Sequence, residues 1–222
     1  LHRGDYPRLR AAVVTAYSLA PMDLRVSIVP VGKMDPAEVE AAGARLAKVL
    51  NKPVTLRQPA PVPRAGDDPA RGQHLAGPFL AELRGQLARL PVAKVVGAAP
   101  AAPAAEPAAA TPAASLFVTD VDLYKPQTDG VFGDIDAVAH VAVLSVRRLR
   151  EAFYKRKADP VKQRARLVKL ALYALGRARG LPECRDAACA LLTTASLADI
   201  DVKPEKYCAA CWKRMTTGAF RI

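Results

Sequence analysis

The chain has 222 residues, 51% of them apolar, 24% charged and only 5% aromatic, with a formal net charge of +12. That length and apolar content suit one globular domain with a sizeable core, and they exclude disordered, collagen-like and disulfide-dense classes. No apolar run is long enough for a transmembrane helix and no leader pattern precedes an apolar core, so the expected compartment is cytoplasmic.

Residues 1–21 read as an N-terminal extension ahead of Met22, and residues 22–222 as a single domain. Leu24 to Val31 alternates apolar and polar residues, the period of a strand. Asp35-Pro36 supplies a helix N-cap and first-turn proline, with the helix running to about Leu50. Residues 54–56 read as a short strand, and Asp68-Pro69 as the start of a second helix reaching about Leu90. Residues 98–114 hold eleven alanines and four prolines; the prolines forbid a continuous helix, which leaves a semi-rigid linker or loop. Strands follow at 115–121 and about 138–144, and a helix opens after Ser145. Asp159-Pro160 opens a long helix that ends at Gly180. This order implies an α+β fold, a mixed twisted sheet with helices packed on it.

All four cysteines fall near the C-terminus. Cys184 and Cys189 form a C-x4-C pair, Cys208 and Cys211 a C-x2-C pair. Such short loops bring two thiolates to one metal, the spacing of a tetrahedral zinc knuckle. Four reduced thiols or two disulfides are the other readings, and a reducing compartment argues against disulfides. A closed four-thiolate site has no open position for water, so the expectation is one structural zinc ion held by Cys184, Cys189, Cys208 and Cys211. Arg185, Lys203, Lys206, Lys213 and Arg214 lie near these cysteines in sequence and would favour their thiolate form.

Tyr173-Ala174-Leu175-Gly176-Arg177-Ala178-Arg179-Gly180-Leu181-Pro182-Glu183-Cys184 has the frame of a long zinc-peptidase signature. With the three cysteines after it, this stretch resembles H-E-x-x-H-x-x-G-x-x-H-C of the archaemetzincins, a family of metzincin zinc peptidases. Residues 118–124 resemble that family's T-D-x-D-L-Y strand end, residues 144–149 its V-S-x-x-R-L, residues 196–201 its S-L-x-D-x-D, and Arg71-Gly72-Gln73-His74 its R-x-Q-Y. The resemblance covers about residues 24–213. It implies a metzincin-like fold with a structural zinc segment at 184–213.

In that family three histidines hold a catalytic zinc and a glutamate acts as general base. Here Tyr173, Arg177 and Glu183 occupy the histidine positions, Ala174 the glutamate position, and Leu191 that of the methionine beneath the metal. Arginine offers no lone pair, alanine takes no proton, and tyrosine ligates only as phenolate. The resemblance with these departures implies a pseudoenzyme: a non-catalytic protein with one structural zinc, binding a peptide or protein partner in the former active-site cleft. An ion pair between Arg177 and Glu183, with Tyr173 hydrogen-bonded nearby, is the expected substitute for the metal.

Two other functions compete. Residues 147–179 contain twelve Lys or Arg against Glu151 and Asp159. The basic run over 147–169 points to a polyanion- or nucleic-acid-binding module, more a weak salt-sensitive attraction than sequence recognition, since few aromatics interleave it. The third alternative is a zinc peptidase with an atypical metal site.

Overall fold

The computed structural model describes residues 24–97 and 114–217. The expected extension at 1–21 and all but the last residue of the expected linker at 98–114 lie outside them; Ala114 opens a strand.

Six strands form the main sheet in the order β5-β2-β1-β6-β9-β8. The inner four, β1 (Val26–Val31), β2 (Val54–Arg57), β6 (Ala114–Thr119) and β9 (Val141–Ser145), are mutually parallel. The edges, β5 (Val92–Val96) and β8 (Gly133–Asp136), run antiparallel to their neighbours. A second, three-stranded sheet joins β3 (Asp67–Asp68), β4 (Gln73–Leu75) and β7 (Leu123–Tyr124). The α+β expectation of a mixed sheet with packed helices is met.

Helices cover both faces of the main sheet, so its central strands bury alternate residues on opposite sides. In β1, Val26 and Ile28 face one core while Val29 and Val31 face the other. The first core takes α1 (Pro36–Leu50) and α3 (Pro160–Ala178); the second takes α2 (Ala76–Gln86) through Phe79, Leu80 and Leu83. Both proline-opened helices start where the sequence places them: Asp35 accepts from Ala37 N and Asp159 from Lys162 N, each at 2.9 Å.

The second helix does not begin at Pro69. Asp67 and Asp68 pair with His74 and Gln73 as a small hairpin, and α2 opens at Ala76 with no side-chain cap. The strand expected near 138–144 is β9, which starts at Val141 after a turn from β8, that turn held by Asp136 Oδ1 accepting from Val138 N and Ala139 N. The helix expected after Ser145 is two 3-10 turns at Arg147–Leu149 and Glu151–Tyr154. Beyond α3 come two short helices, α4 (Leu197–Val202) and α5 (Ala209–Thr217). Among the described residues no helix is long and apolar enough to cross a membrane.

Candidate functional site

An open cleft of about 540 Å³ runs between β8 and α3. Gly133, Asp134 and Ile135 form one wall, Leu170, Tyr173, Ala174 and Arg177 the helical side, and Thr194 and Ala195 a lip. The loop at 125–132 closes one end. It is held by Arg148, which clamps Asp122 at 2.6 and 2.9 Å and donates to Asp129 O, while Gln73 Nε2 bridges Asp122 and Asp129 O. Arg148 crosses so close to Gly130 that a Cβ there would meet its Cζ at 2.0 Å. The residues shared with the T-D-x-D-L-Y, V-S-x-x-R-L and R-x-Q patterns therefore brace the cleft wall rather than reach into it.

At the end of α3, Gly180 takes the left-handed conformation (φ +81°), and the N–H groups of Gly180 and Leu181 close onto Arg177 O and Gly176 O at 2.9 Å. The chain then turns back and brings Glu183 beside Tyr173. Tyr173 Oη donates to Glu183 Oε1 at 2.6 Å and Thr193 Oγ1 donates to Glu183 Oε2 at 2.5 Å. Beneath them Leu191, fully buried, packs on Gly176, where a Cβ would lie 2.5 Å from its Cδ2. Buried Lys203 sets its ammonium 4.4 Å from the Tyr173 ring centroid and donates to Ala190 O.

The expected Arg177–Glu183 ion pair is not formed. Arg177 Nη1 instead donates to Leu181 O at 2.7 Å, and two hydroxyls take the carboxylate. Thr193 and Lys203 belong to this cluster and the sequence reading missed both. Thr193 carries no motif, and Lys203 was counted among the cations near the cysteines.

Burial and the bond to Glu183 push the Tyr173 phenol up to about 12, so it remains protonated at neutral pH. Desolvation lowers Lys203 to about 8. Glu183 is held below the usual carboxylate range, first by Thr193 and then by Tyr173. Replacing Tyr173 by Phe should raise the Glu183 pKa toward its ordinary value, read by carboxyl carbon NMR. A depressed carboxyl stabilises the fold above its unfolded pKa, and that contribution is lost as pH falls through the folded pKa. Tyr173→Phe should therefore flatten the acid limb of the melting curve. An unchanged Glu183 titration would show that the hydroxyl does not support the carboxylate.

A catalytic zinc does not fit these residues. Tyr173 keeps its proton, Arg177 is a cation, and both Glu183 oxygens already accept hydrogen bonds.

The four cysteines do fit a metal. Among the described residues they are the group of convergent ligand atoms, all within 4.8 Å of one another and none in a disulfide. Cys184 and Cys208 Sγ lie 3.9 Å apart, close to the separation of about 3.8 Å that tetrahedral zinc–sulfur bonds of about 2.3 Å require. Cys208 precedes α5 and Cys211 sits in its first turn, where the helix dipole favours thiolates. Cys184 N donates to Leu191 O and Ala190 N to Lys206 O, so the backbone already stitches the two cysteine pairs together. Burial pushes the Cys189 and Cys211 thiols up, and a bound cation would reverse that.

The basic run is largely engaged within the fold. Arg148 clamps Asp122, Arg156 and Lys162 reach Glu151, and Lys169 donates to Asp201 O. Arg166, 1% exposed, holds Asp201, Glu151 and Leu149 O at 2.6–2.7 Å. Lys155 and Lys157 remain exposed.

Residues 110–217 match peptidase family M54. The archaemetzincin of Methanocaldococcus jannaschii is 32% identical over 100 residues, covering 45% of this chain and 56% of that protein. The chain thus spans about half the length of the curated relatives it matches at that identity. A zinc-dependent peptidase from Methanocorpusculum labreanum superposes with a TM-score of 0.72 at 25% identity, over 86% of this chain and 100% of that one. The archaemetzincin of Methanopyrus kandleri gives 0.64 at 26% identity, over 86% and 93%. These matches correct one expectation. The family is one of peptidases, an enzyme family, which overturns the assignment of the chain as no enzyme; the loss of one ligand set does not establish an inactive protein.

Proposed function

This chain belongs to the archaemetzincin family, and from that premise we propose that its cleft is a groove for an extended peptide, with one zinc ion on the four cysteines fixing the groove's lip. The observation that carries the reading is the position of β8. Among the described residues it is the edge of the six-stranded sheet, with no strand beyond it, and it forms one wall of the cleft. An edge strand offers a row of backbone donors and acceptors to an added strand. Opposite it, α3 supplies apolar contact through Leu170 and Ala174 and polar groups through Tyr173 and Arg177. The lip at Thr194 and Ala195 follows directly from the segment that Cys184 and Cys189 anchor, so the cysteine cluster sets the groove's width.

Two measurements test this. Elemental analysis should find one zinc per chain; none would remove the cysteine half of the proposal, and two would place a metal in the groove as well. Titration of isotope-labelled protein with a capped Ala/Val pentapeptide should shift the amides of β8 and of Thr194 and Ala195. Shifts confined to other surfaces would overturn the groove.

A further inference from the structure

We infer that the peptide this groove takes presents an acidic side chain, aspartate or glutamate, that docks on Arg177; the inference rests on the peptide-groove reading. Arg177 is the last of the α3 residues that line the cleft. One of its nitrogens is used on Leu181 O, and the guanidinium also reaches the Tyr173 hydroxyl. Among the described residues no carboxylate lies within ion-pair distance of it, although the rest of the cleft's charge is matched: Lys125 Nζ meets Asp134 Oδ1 at 2.6 Å. Glu183, whose field reaches Arg177, has both oxygens occupied by Tyr173 and Thr193 and is also drawn on by Lys203. A guanidinium with unused donors thus stands on the groove wall, and a carboxylate matches its fork geometry in a bidentate pair.

The layer in which Arg177 sits selects a side chain over a chain end. It projects from the helix layer packed on the sheet, whereas a strand added to β8 lies in the sheet layer. Alternate side chains of an added strand point down toward that helix layer. A terminal carboxylate would instead continue along the strand.

The test compares three peptides by calorimetry: acetyl-Ala-Val-Glu-Val-Ala-amide, its Gln counterpart, and acetyl-Ala-Val-Ala-Val-Ala with a free terminal carboxylate. The Glu peptide should bind about tenfold tighter than the Gln peptide, the scale of a charge-assisted hydrogen bond. Arg177→Gln should abolish that difference, so that the Glu and Gln peptides bind with one Kd. Arg177→Lys, which keeps the charge, should retain part of the discrimination, so the test survives a folding defect in the Gln variant. Equal affinities for the Glu and Gln peptides would overturn the acidic side chain while leaving the groove. A gain confined to the free-carboxylate peptide would overturn it in favour of a chain terminus. Absence of binding by all three would bring down the groove reading and this inference with it.

Discussion

Stripping zinc with a chelator, or replacing Cys211 by Ser, is expected to release residues 184–217 from the domain and abolish peptide binding. Little regular structure holds that segment: α4 has six residues and α5 nine, lengths that are marginal alone. Its apolar anchors are few, chiefly Leu191, Ile200, Tyr207 and Met215, with the Tyr207 hydroxyl donating to Leu172 O at 2.6 Å. Against this, zinc bound by four thiolates supplies about 10–16 kcal/mol in isolated finger peptides. Loss of even part of that should lower the melting temperature by about 10–20 °C in a domain of this size. The released segment should be cut by trypsin near Arg185 and Lys206, which are exposed but lie on backbone that is hydrogen-bonded into the fold beside the cluster. The lip at Thr194 and Ala195 would go with it. A zinc-free protein that melts with the zinc-bound form and resists trypsin equally would show that packing alone holds the segment.

The sequence made the helix starts at Asp35 and Asp159 legible because cap and proline are local signals that no tertiary contact overrides. Asp68-Pro69 carries the same pair and failed. There Tyr124 Oη donates to Asp68 and β4 pairs across to β7, contacts between residues some fifty positions apart that no local pattern announces. The cysteine cluster was legible from spacing. The Tyr173–Glu183 contact followed from helix geometry and the turn at Gly180, but the partner of Arg177 did not, because a flexible guanidinium chooses among acceptors that the turn itself creates. The basic run over 147–169 points in sequence to a polyanion-binding surface, yet Arg166 lies inside the fold, since its acidic partners come from a 3-10 turn and from α4, distant in sequence.

That buried arginine sets the second large effect. Arg166 ties α3 to α4 through a bidentate pair with Asp201 and to the preceding turn through Glu151 and Leu149 O. Removing one partner of a buried ion pair leaves uncompensated charge, so Arg166→Met should cost about 3–5 kcal/mol. Lys162, which reaches both Glu151 and Asp201, is more exposed and recovers only part of the loss. Asp201 is held below the ordinary carboxylate range, first by its hydrogen bond from Arg166, and Glu151 likewise, by Lys162 and then Arg166. Carboxyls depressed in the folded state stabilise it above their unfolded pKa, about 4, and that contribution fades as pH falls through the folded values. The wild-type melting temperature should therefore fall steeply below about pH 4, and the variant should start lower and fall less. Replacing Arg166, Glu151 and Asp201 together by apolar residues of similar volume should recover much of the loss, because the penalty lies in stranded charge rather than in missing attraction. A single variant that melts with the wild type at pH 7, or a triple variant no better than the single, would contradict that account.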